Sequence, residues 1–261
     1  MTQQLVIDHV SKVFGGLKAV ADVTMTIEQG TLIALIGPNG AGKTTLFNML
    51  TGESGPSSGT ITLYTADGPV DITKKKAYQV AKLGVARTFQ NIRLFDAMTV
   101  KENVLVARTH LYRESFIGTM LRLPQFYQQE AAVATAADEL LDFFELADVA
   151  DEPTASLPYG TQRRVEIVRA VATKPQLLFL DEPAAGMNPE ETADLGRLIT
   201  RIREHFGITV VLIEHDMSLV MKLAESIYVL DHSAMIASGT PNEIQTNAQV
   251  ISAYLGGENH A

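Results

Sequence analysis

Short runs of apolar and β-branched residues alternate along the chain with longer segments of helical periodicity. The runs are four to six residues long and end at turn residues, which predicts strands over Leu5–Val10, Asp22–Ile27, Thr31–Ile36, Thr60–Tyr64, Leu177–Leu180, Thr209–Ile213 and Ile227–Leu230. The periodic segments predict helices over Lys43–Leu50, Ala77–Leu83, Val100–His110, Gln128–Phe144, Gly160–Ala172, Pro189–His205 and Met217–Ala224. Such alternation favours an α/β fold, a parallel sheet buried between layers of helices.

Two regions depart from this alternation. In the first third the strands are close together and joined by turns at 28–30 and 66–68, which predicts an antiparallel β subdomain beside the main sheet. Residues 95–158 are almost free of strand signals, which predicts a helical subdomain inserted into the α/β core. Residues 55–59 are predicted to form a loop. We therefore expect residues 1–261 to form a single domain that carries both subdomains.

Composition and charge exclude several classes of protein. The 261 residues are 46% apolar and 20% charged, as in soluble globular proteins, and the net charge of −9 argues against a nucleic-acid partner. Two basic clusters, 74–76 and 163–164, are expected to lie on the solvated faces of helices. The absence of cysteine excludes disulfides and thiolate metal sites.

The chain shows no signal for export or for membrane insertion. Its first ten residues lack the basic start and apolar core of a signal peptide. No apolar run approaches the ~20 residues that span a bilayer. We therefore expect the protein in the cytoplasm, with any membrane contact made through a partner.

A phosphate-binding loop is predicted between the strand Thr31–Ile36 and the helix Lys43–Leu50. Residues 37–44 fit the pattern G-x-x-x-x-G-K-[ST], in which the glycines turn backbone N–H groups toward phosphates and the helix adds its positive end. The lysine would reach the β- and γ-phosphates, and the Thr44 hydroxyl would ligate Mg²⁺. The alternative is a plain Gly-rich turn before a helix. The candidate ATP-binding residues are Gly37, Asn39, Gly40, Ala41, Gly42, Lys43, Thr44 and Thr45.

Two carboxylates follow the apolar strand Leu177–Leu180. Ligand sites of α/β proteins form at the carboxyl ends of strands, where Asp181 is expected to hold Mg²⁺. The adjacent Glu182 would act as the general base that activates the attacking water. The alternative is a capped strand end without catalytic function.

Three further side chains fit the same site. The Gln90 amide could reach both Mg²⁺ and the water, His215 at the end of a buried strand could contact the γ-phosphate, and Phe14 could stack on adenine. Each has an ordinary alternative, since a loop Gln is usually solvated, a strand-end His is often structural and most Phe residues lie in a core.

The order of these pieces resembles the ATPases of ABC transporters over essentially the whole chain. The resemblance rests on six segments in family order: the phosphate loop, 89–90, 157–164, 180–183, 185–189 and 214–216. It identifies them as Walker A, Q-loop, signature, Walker B, D-loop and switch histidine. The resemblance implies a head-to-tail dimer in which each ATP lies between the Walker A of one subunit and the signature of the other.

The signature segment departs from the family's usual LSGGQ. Pro158 stands where a serine normally offers its hydroxyl, Tyr159 replaces the first glycine and Thr161 replaces the glutamine. We expect Gly160 and the N–H groups of the following helix to hold the phosphate in trans, with Tyr159 beside them. A helix-capping loop without ligand is the alternative.

Longer matches resemble the branched-chain amino acid importer ATPases, of LivG type. They comprise 87–95, 98–100, 159–167, 181–186 with 188–189, 214–217 and 253–256, and the stretch 118–126 is similar to an insertion of that subfamily. The resemblance implies an ATP- and Mg²⁺-dependent ATPase at the cytoplasmic face of the membrane. Its partners would be transmembrane permease subunits, a second ATPase subunit (identical or different) and, indirectly, a solute-binding protein.

Alternative functions have weaker support in the sequence. Urea and short-amide importers share much of the pattern, and lipopolysaccharide exporters share less. A non-transport ABC ATPase of DNA repair or the ribosome would carry coiled coils or basic linkers, and a P-loop kinase or GTPase would have no use for the signature. Ile92, Leu94 and Phe95, apolar residues after the Q-loop that show no strand or helix pattern, are the predicted permease contact. The solute itself is not encoded in a subunit that never touches it.

Overall fold

The computed structural model describes residues 2–109 and 124–255, with the backbone alone at 124–129 and 255. The chain forms two compact units, one made of Met1–Arg87 and Gln176–Ala261 and the other of Thr88–Pro175. Most of the insertion-like stretch 118–126, and Gly256 of the last matching segment, lie outside the described residues.

An antiparallel sheet forms the start of the first unit, as the sequence predicts. Its strands are β1 (Gln3–Phe14), β2 (Leu17–Glu28), β4 (Ser58–Thr65) and β5 (Gly68–Asp71), in the order β2-β1-β4-β5. The prediction of a loop through 59 was wrong at its end, because Ser58 already pairs with Ser11 of β1.

The second sheet of this unit carries the central strands of the α/β fold. Its strands are β3 (Leu32–Ile36), β6 (Val85–Arg87), β7 (Leu177–Asp181), β8 (Thr209–Ile213), β9 (Ser226–Asp231) and β10 (Ala234–Gly239), in the order β10-β9-β3-β8-β7-β6. All pairings are parallel except that of β9 with β10. Every residue of β3, β7 and β8 is buried, as expected for strands covered on both faces.

The helices of the first unit are α1 (Lys43–Leu50), α2 (Ala77–Ala81), α6 (Pro189–Phe206), α7 (Met217–Leu223), α8 (Pro241–Gln245) and α9 (Ala248–Leu255). Phe47 of α1 packs edge-on against Phe179 of β7, with ring centroids 5.0 Å apart, inside a core that includes residues of both sheets. This packing fixes α1, and the loop before it, against the centre of the parallel sheet. The strands β5, β6 and β10 and the helices α8 and α9 were not predicted.

The second unit is built on the helices α3 (Val100–Arg108), α4 (Pro124–Phe143) and α5 (Tyr159–Ala172). A capping box starts α3, in which the Thr99 hydroxyl and the Glu102 carboxylate each accept the other residue's N–H. Among the described residues of this unit, strand pairing is confined to one bridge between Thr99 and Pro153. The bounds of the unit are wider than the predicted 95–158, and the division of the chain into functional domains stays a prediction.

No helix within residues 2–109 and 124–255 combines the length and apolar character needed to cross a membrane.

Candidate active site

The predicted phosphate loop connects β3 to α1 and requires glycine at its ends. Gly37 and Gly42 have φ values of 148° and 101°. A Cβ at Gly37 would lie 2.0 Å from the carbonyl oxygen of Leu230, and one at Gly42 would lie 2.3 Å from that of Ala19. In the described structure no side chain caps the N-terminus of α1. The loop and the first turn of α1 therefore present backbone N–H groups that suit a phosphate.

Lys43 holds its ammonium group at this loop. Its Nζ donates to the carbonyl oxygens of Gly37 and Pro38 over 2.8 and 3.0 Å, and the residue is 6% exposed. Burial lowers the pKa of Lys43, and the negative charges of Glu182 and Asp181 act in the opposite direction. A buried cation thus lies beside the loop with two carboxylates in its field.

The remaining predicted residues of the loop differ in exposure. Asn39, Gly40 and Thr44 are exposed, Thr45 is half-buried and Ala41 is buried. Thr44 and Thr45 lie in the first turn of α1, where the Thr44 hydroxyl is open to a ligand.

Asp181 is the last residue of β7 and is paired with a cation that the sequence did not single out. Its Oδ2 lies 2.7 Å from Nη2 of Arg87, and the two side chains are only 3% and 8% exposed. Nη1 of Arg87 also donates to Oδ1 of Asn48 in α1 over 2.6 Å. Arg87 ends β6, a strand too short to leave a hydrophobic pattern in the sequence.

Glu182 and His215 meet at the ends of two adjacent strands. Oε1 of Glu182 lies 2.7 Å from Nε2 of His215. The N–H of Glu182 donates to the carbonyl of Ile213, the last residue of β8, over 2.9 Å. Glu182 has a φ of 48°, in the left-handed region, so the chain leaves the extended conformation of β7 at this residue. The buried Glu214, which received no role from the sequence, accepts the N–H of Ala184 beside this pair.

Phe14 lies at the end of β1, next to the turn into β2, and is 52% exposed. The ammonium of Lys12 lies 5.0 Å from the centre of its ring. The ring is therefore an exposed aromatic surface of the first unit, which is the property that stacking on a base requires.

Gln90 belongs to the second unit, where its backbone is held by a buried arginine. Arg163 is fully buried, and its Nη1 and Nη2 donate to the carbonyl oxygens of Phe89 and Gln90, each over 2.8 Å. Its Nη1 also lies 2.7 Å from Oε2 of Glu166. The prediction that residue 163 lies on a solvated helix face was wrong, because this guanidinium satisfies two loop carbonyls and a buried carboxylate.

The signature segment opens α5 in this second unit. Pro158 is the N-cap and offers no side-chain cap, Tyr159 is 46% exposed and Gly160 is half-buried. The Tyr159 hydroxyl accepts from Nη2 of Arg163 over 3.1 Å. The start of α5 can therefore offer N–H groups to an anion, and its aromatic neighbour is held by the same guanidinium as the Q-loop.

Metal ligands in the described ranges are few. Residues 2–109 and 124–255 contain no cluster of three or more His, Asp or Glu side chains able to hold a metal ion. Asp181 is a buried carboxylate of the first unit whose charge acts on Lys43 at the loop, and Thr44 brings an exposed hydroxyl in the first turn of α1. This set suits Mg²⁺ that arrives with substrate phosphates rather than a metal caged by protein alone.

Comparisons with known proteins agree with this arrangement. The family described as ABC transporter matches residues 20–185, and the family described as branched-chain amino acid ATP-binding cassette transporter matches 234–260. The high-affinity branched-chain amino acid transport ATP-binding protein LivG of Salmonella typhimurium is 45% identical, over 93% of this chain and 94% of the relative. The corresponding protein BraF of Pseudomonas aeruginosa shows the same identity and coverage.

Solved structures show the same fold. An ATP-binding cassette of an ABC transporter in its ADP conformation is 29% identical and superposes with a TM-score of 0.83, covering 98% of this chain and 100% of that one. The mixed arrangement of an antiparallel and a parallel sheet is thus the fold of ATP-binding cassettes. The chain belongs to the ABC transporter ATPases, which bind and hydrolyse ATP, and within them to the LivG- and BraF-like group of branched-chain amino acid transport.

Proposed function

We propose that this chain is the motor subunit of an importer for branched-chain amino acids, and that it hydrolyses ATP at the edge formed by β3, β8 and β7. One observation carries the mechanism: the ammonium of Lys43, the carboxylate of Asp181 and the pair of Glu182 with His215 lie at the carboxyl ends of these strands. Such an edge is where α/β proteins place their ligands.

The site fits ATP with Mg²⁺. The loop needs glycine at both ends, because a Cβ at Gly37 or Gly42 would collide with the backbone of Leu230 or Ala19. Consecutive N–H groups of such a loop suit phosphate oxygens. Thr44 and Asp181 are the oxygen donors of the first unit that we assign to the ion, and the role of Gln90 as a further ligand stays a prediction from the sequence. When bound, Mg²⁺ neutralises charge on the β- and γ-phosphates.

Hydrolysis follows from the assigned roles. Lys43 and the loop N–H groups hold the β- and γ-phosphates, and the carboxylate of Glu182 accepts a proton from water while the water oxygen attacks the γ-phosphorus. The bond between that phosphorus and the β–γ bridging oxygen breaks, which releases ADP and phosphate. His215, 2.7 Å from Glu182, holds the base in place. Phe14 stacks on the adenine.

A second ATPase subunit, identical or different, completes each site. The open N-terminus of α5, with Tyr159 exposed and Gly160 beside it, suits the γ-phosphate of a nucleotide held by the partner. Pro158 has no hydroxyl to donate, so the N–H groups from Gly160 onward supply this contact. The proposed arrangement is the head-to-tail dimer that the signature motif implies.

The contact with the permease is assigned to the loop after Gln90. Ile92 and Leu94 are half-buried, and Phe95 is 48% exposed with the guanidinium of Arg169 5.6 Å from its ring. These apolar side chains would dock on permease subunits at the cytoplasmic face of the membrane, and the solute-binding protein would act through the permease. The solute class follows the names of the LivG and BraF relatives. The alternative is a urea or short-amide importer.

Uptake by cells that carry only the Lys43→Ala form tests the proposal. Labelled leucine, isoleucine, valine, glutamine and urea are compared in a strain without other carriers for them, with Lys82→Ala, an exposed lysine, as the control. Selective loss of the three branched amino acids supports both the motor role and the solute class. Loss of urea uptake alone would move the chain to the urea group, and unchanged uptake of all five would refute the proposed solutes.

A further inference from the structure

Glu214 is a buried acid directly after β8. The residue is 4% exposed, and burial raises the pKa of its carboxyl group while backbone N–H donors act in the opposite direction. A carboxylate is rarely buried this far unless its oxygens are satisfied. The position of Glu214 therefore requires an explanation beyond packing.

Its two oxygens connect two loops of the first unit. Oε1 accepts the N–H of Ala184 over 2.7 Å, and Oε2 accepts the N–H of His215 over 3.0 Å. The backbone N–H of Asp216 also acts to lower the pKa of this carboxyl group. Ala184 follows Glu182 by two residues in the loop after β7, and His215 lies in the loop after β8. One side chain thus joins the segments that carry the proposed base and its partner.

The segment after β7 needs such a restraint. Glu182 has a left-handed φ of 48°, which is unfavourable for a non-glycine residue and persists only where surrounding contacts hold it. The contacts in the described structure include two hydrogen bonds. The N–H of Glu182 donates to the carbonyl of Ile213, and the N–H of Ala184 donates to the carboxylate of Glu214. Together they fix the backbone on both sides of the Glu182 side chain.

We propose that Glu214 is a positioning residue for hydrolysis: its carboxylate clamps the loops after β7 and β8 together and so maintains the 2.7 Å contact of Glu182 with His215. The inference rests on the roles proposed above for Glu182 and His215. Both oxygens of Glu214 accept main-chain N–H groups of the two loops, so the residue acts through these loops rather than directly on the nucleotide.

Steady-state ATPase measurements on the full chain test the clamp. Glu214→Ala should lower kcat by roughly 100-fold, since a small misplacement of a reacting group costs about that much, and the Kd for ADP should change by less than about twofold. Glu214→Gln, which keeps the shape but has one oxygen for two main-chain donors, should lower kcat by about tenfold. Glu243→Gln is the matched control, because Glu243 also accepts a main-chain N–H, that of Thr240, in the capping box of α8.

A spectroscopic measurement separates positioning from stability. The NMR signals of the His215 ring nitrogens are assigned by their loss in His215→Ala. In Glu214→Gln these signals should shift toward the positions that they have in Glu182→Gln. Unmoved signals, unchanged kcat, or a Kd for ADP that rises in step with the fall in kcat would each overturn the inference. Full turnover by Glu182→Gln would instead refute the proposed roles themselves, whereas an inactive Glu182→Gln with an active Glu214→Ala would refute the clamp alone.

Discussion

Nη2 of Arg87 lies 2.7 Å from Oδ2 of Asp181, and both side chains are buried at the ends of adjacent parallel strands. Inside the protein, each of these two charges is therefore neutralised by the other. Removing one partner of a buried pair leaves the other charge unpaired. This destabilises the folded protein far more than replacing both residues by apolar ones.

Arg87→Gln should lower the free energy of unfolding by about 3–5 kcal/mol. The loss should be smaller in the presence of Mg²⁺ and ADP, because an ion at Asp181 would replace part of the missing positive charge. Urea unfolding with and without Mg²⁺ and ADP measures both effects. Arg197→Gln removes an exposed pair with Asp194 and should cost less than about 1 kcal/mol. Equal losses in the two variants would contradict the importance of burial.

Glu182→Gln should abolish most turnover while leaving nucleotide binding intact. General bases contribute about 10²- to 10⁴-fold, and the amide keeps the size of the side chain but cannot accept the proton. ATPase assays and titration with nucleotide give the two quantities, and a trapped dimer should accumulate with ATP. Glu190→Gln, an exposed acid of α6, is the control. Near-normal turnover by Glu182→Gln would refute its assignment as the base.

Lys43→Met should change stability in a manner that depends on pH. The folded pKa of Lys43 is lowered below its ordinary 10.5, so the unfolded chain binds more protons between that lowered value and 10.5. The stability of the wild type relative to Lys43→Met should therefore rise with pH through this window, by at most about 1.4 kcal/mol per pH unit. Urea unfolding of both proteins from about pH 7 to about pH 10 measures the slope. A difference that is constant or falls with pH would contradict the prediction.

Arg163→Leu should destabilise the second unit by about 3–5 kcal/mol, because it leaves Glu166 buried without its cation and two loop carbonyls without their donor. Adding Glu166→Leu should restore part of this loss. Hydrogen exchange should become faster at the amides around Phe89 and Gln90. Arg164→Leu is a matched neighbour, since its pair with Glu145 is more exposed and spans 3.4 Å. A double variant less stable than Arg163→Leu would show that the charges are not coupled.

Phe95→Glu should uncouple transport from hydrolysis. A charge placed among the apolar side chains after the Q-loop would oppose docking on the permease and leave nucleotide binding by the purified chain unchanged. Solute uptake and nucleotide titration test the two halves of this prediction. Tyr78→Glu, at an aromatic residue of α2 that is 60% exposed, is the control. Normal uptake by Phe95→Glu would remove this loop from the proposed contact.

The central part of the fold was predictable because its signals are local. Continuous apolar runs gave β3, β7 and β8, and the glycines, lysine and helix start of the phosphate loop occupy eight consecutive positions. The unpredicted strands lack such signals. β6 has three residues, and β10 is half-buried along most of its length as the antiparallel edge beside β9. Pairing with a neighbour, rather than the strand's own pattern, determines such elements.

The contacts around the candidate site were less predictable because they join distant positions. Arg87 and Asp181 are 94 residues apart, and Arg163 reaches carbonyls 73 and 74 residues away. An arginine in a helix is ordinarily solvated, and the sequence contains no sign that a loop of unsatisfied carbonyls will face this one. Glu214 was visible in its motif, yet its clamp on Ala184 exists only once β7 and β8 are paired.

The backbone turn at Glu182 makes hydrolysis sensitive to strand register. Asp181 is paired with Ile213 in the ladder between β7 and β8, and the next residue leaves the ladder with a left-handed φ. A slip of β7 by one residue would bring Glu182 to Arg87 and push a proline, Pro183, into the place of the base. Chains trapped in such a slipped fold would have no base at the correct position and therefore no turnover. ATP hydrolysis therefore depends on the correct register of β7 in the central sheet.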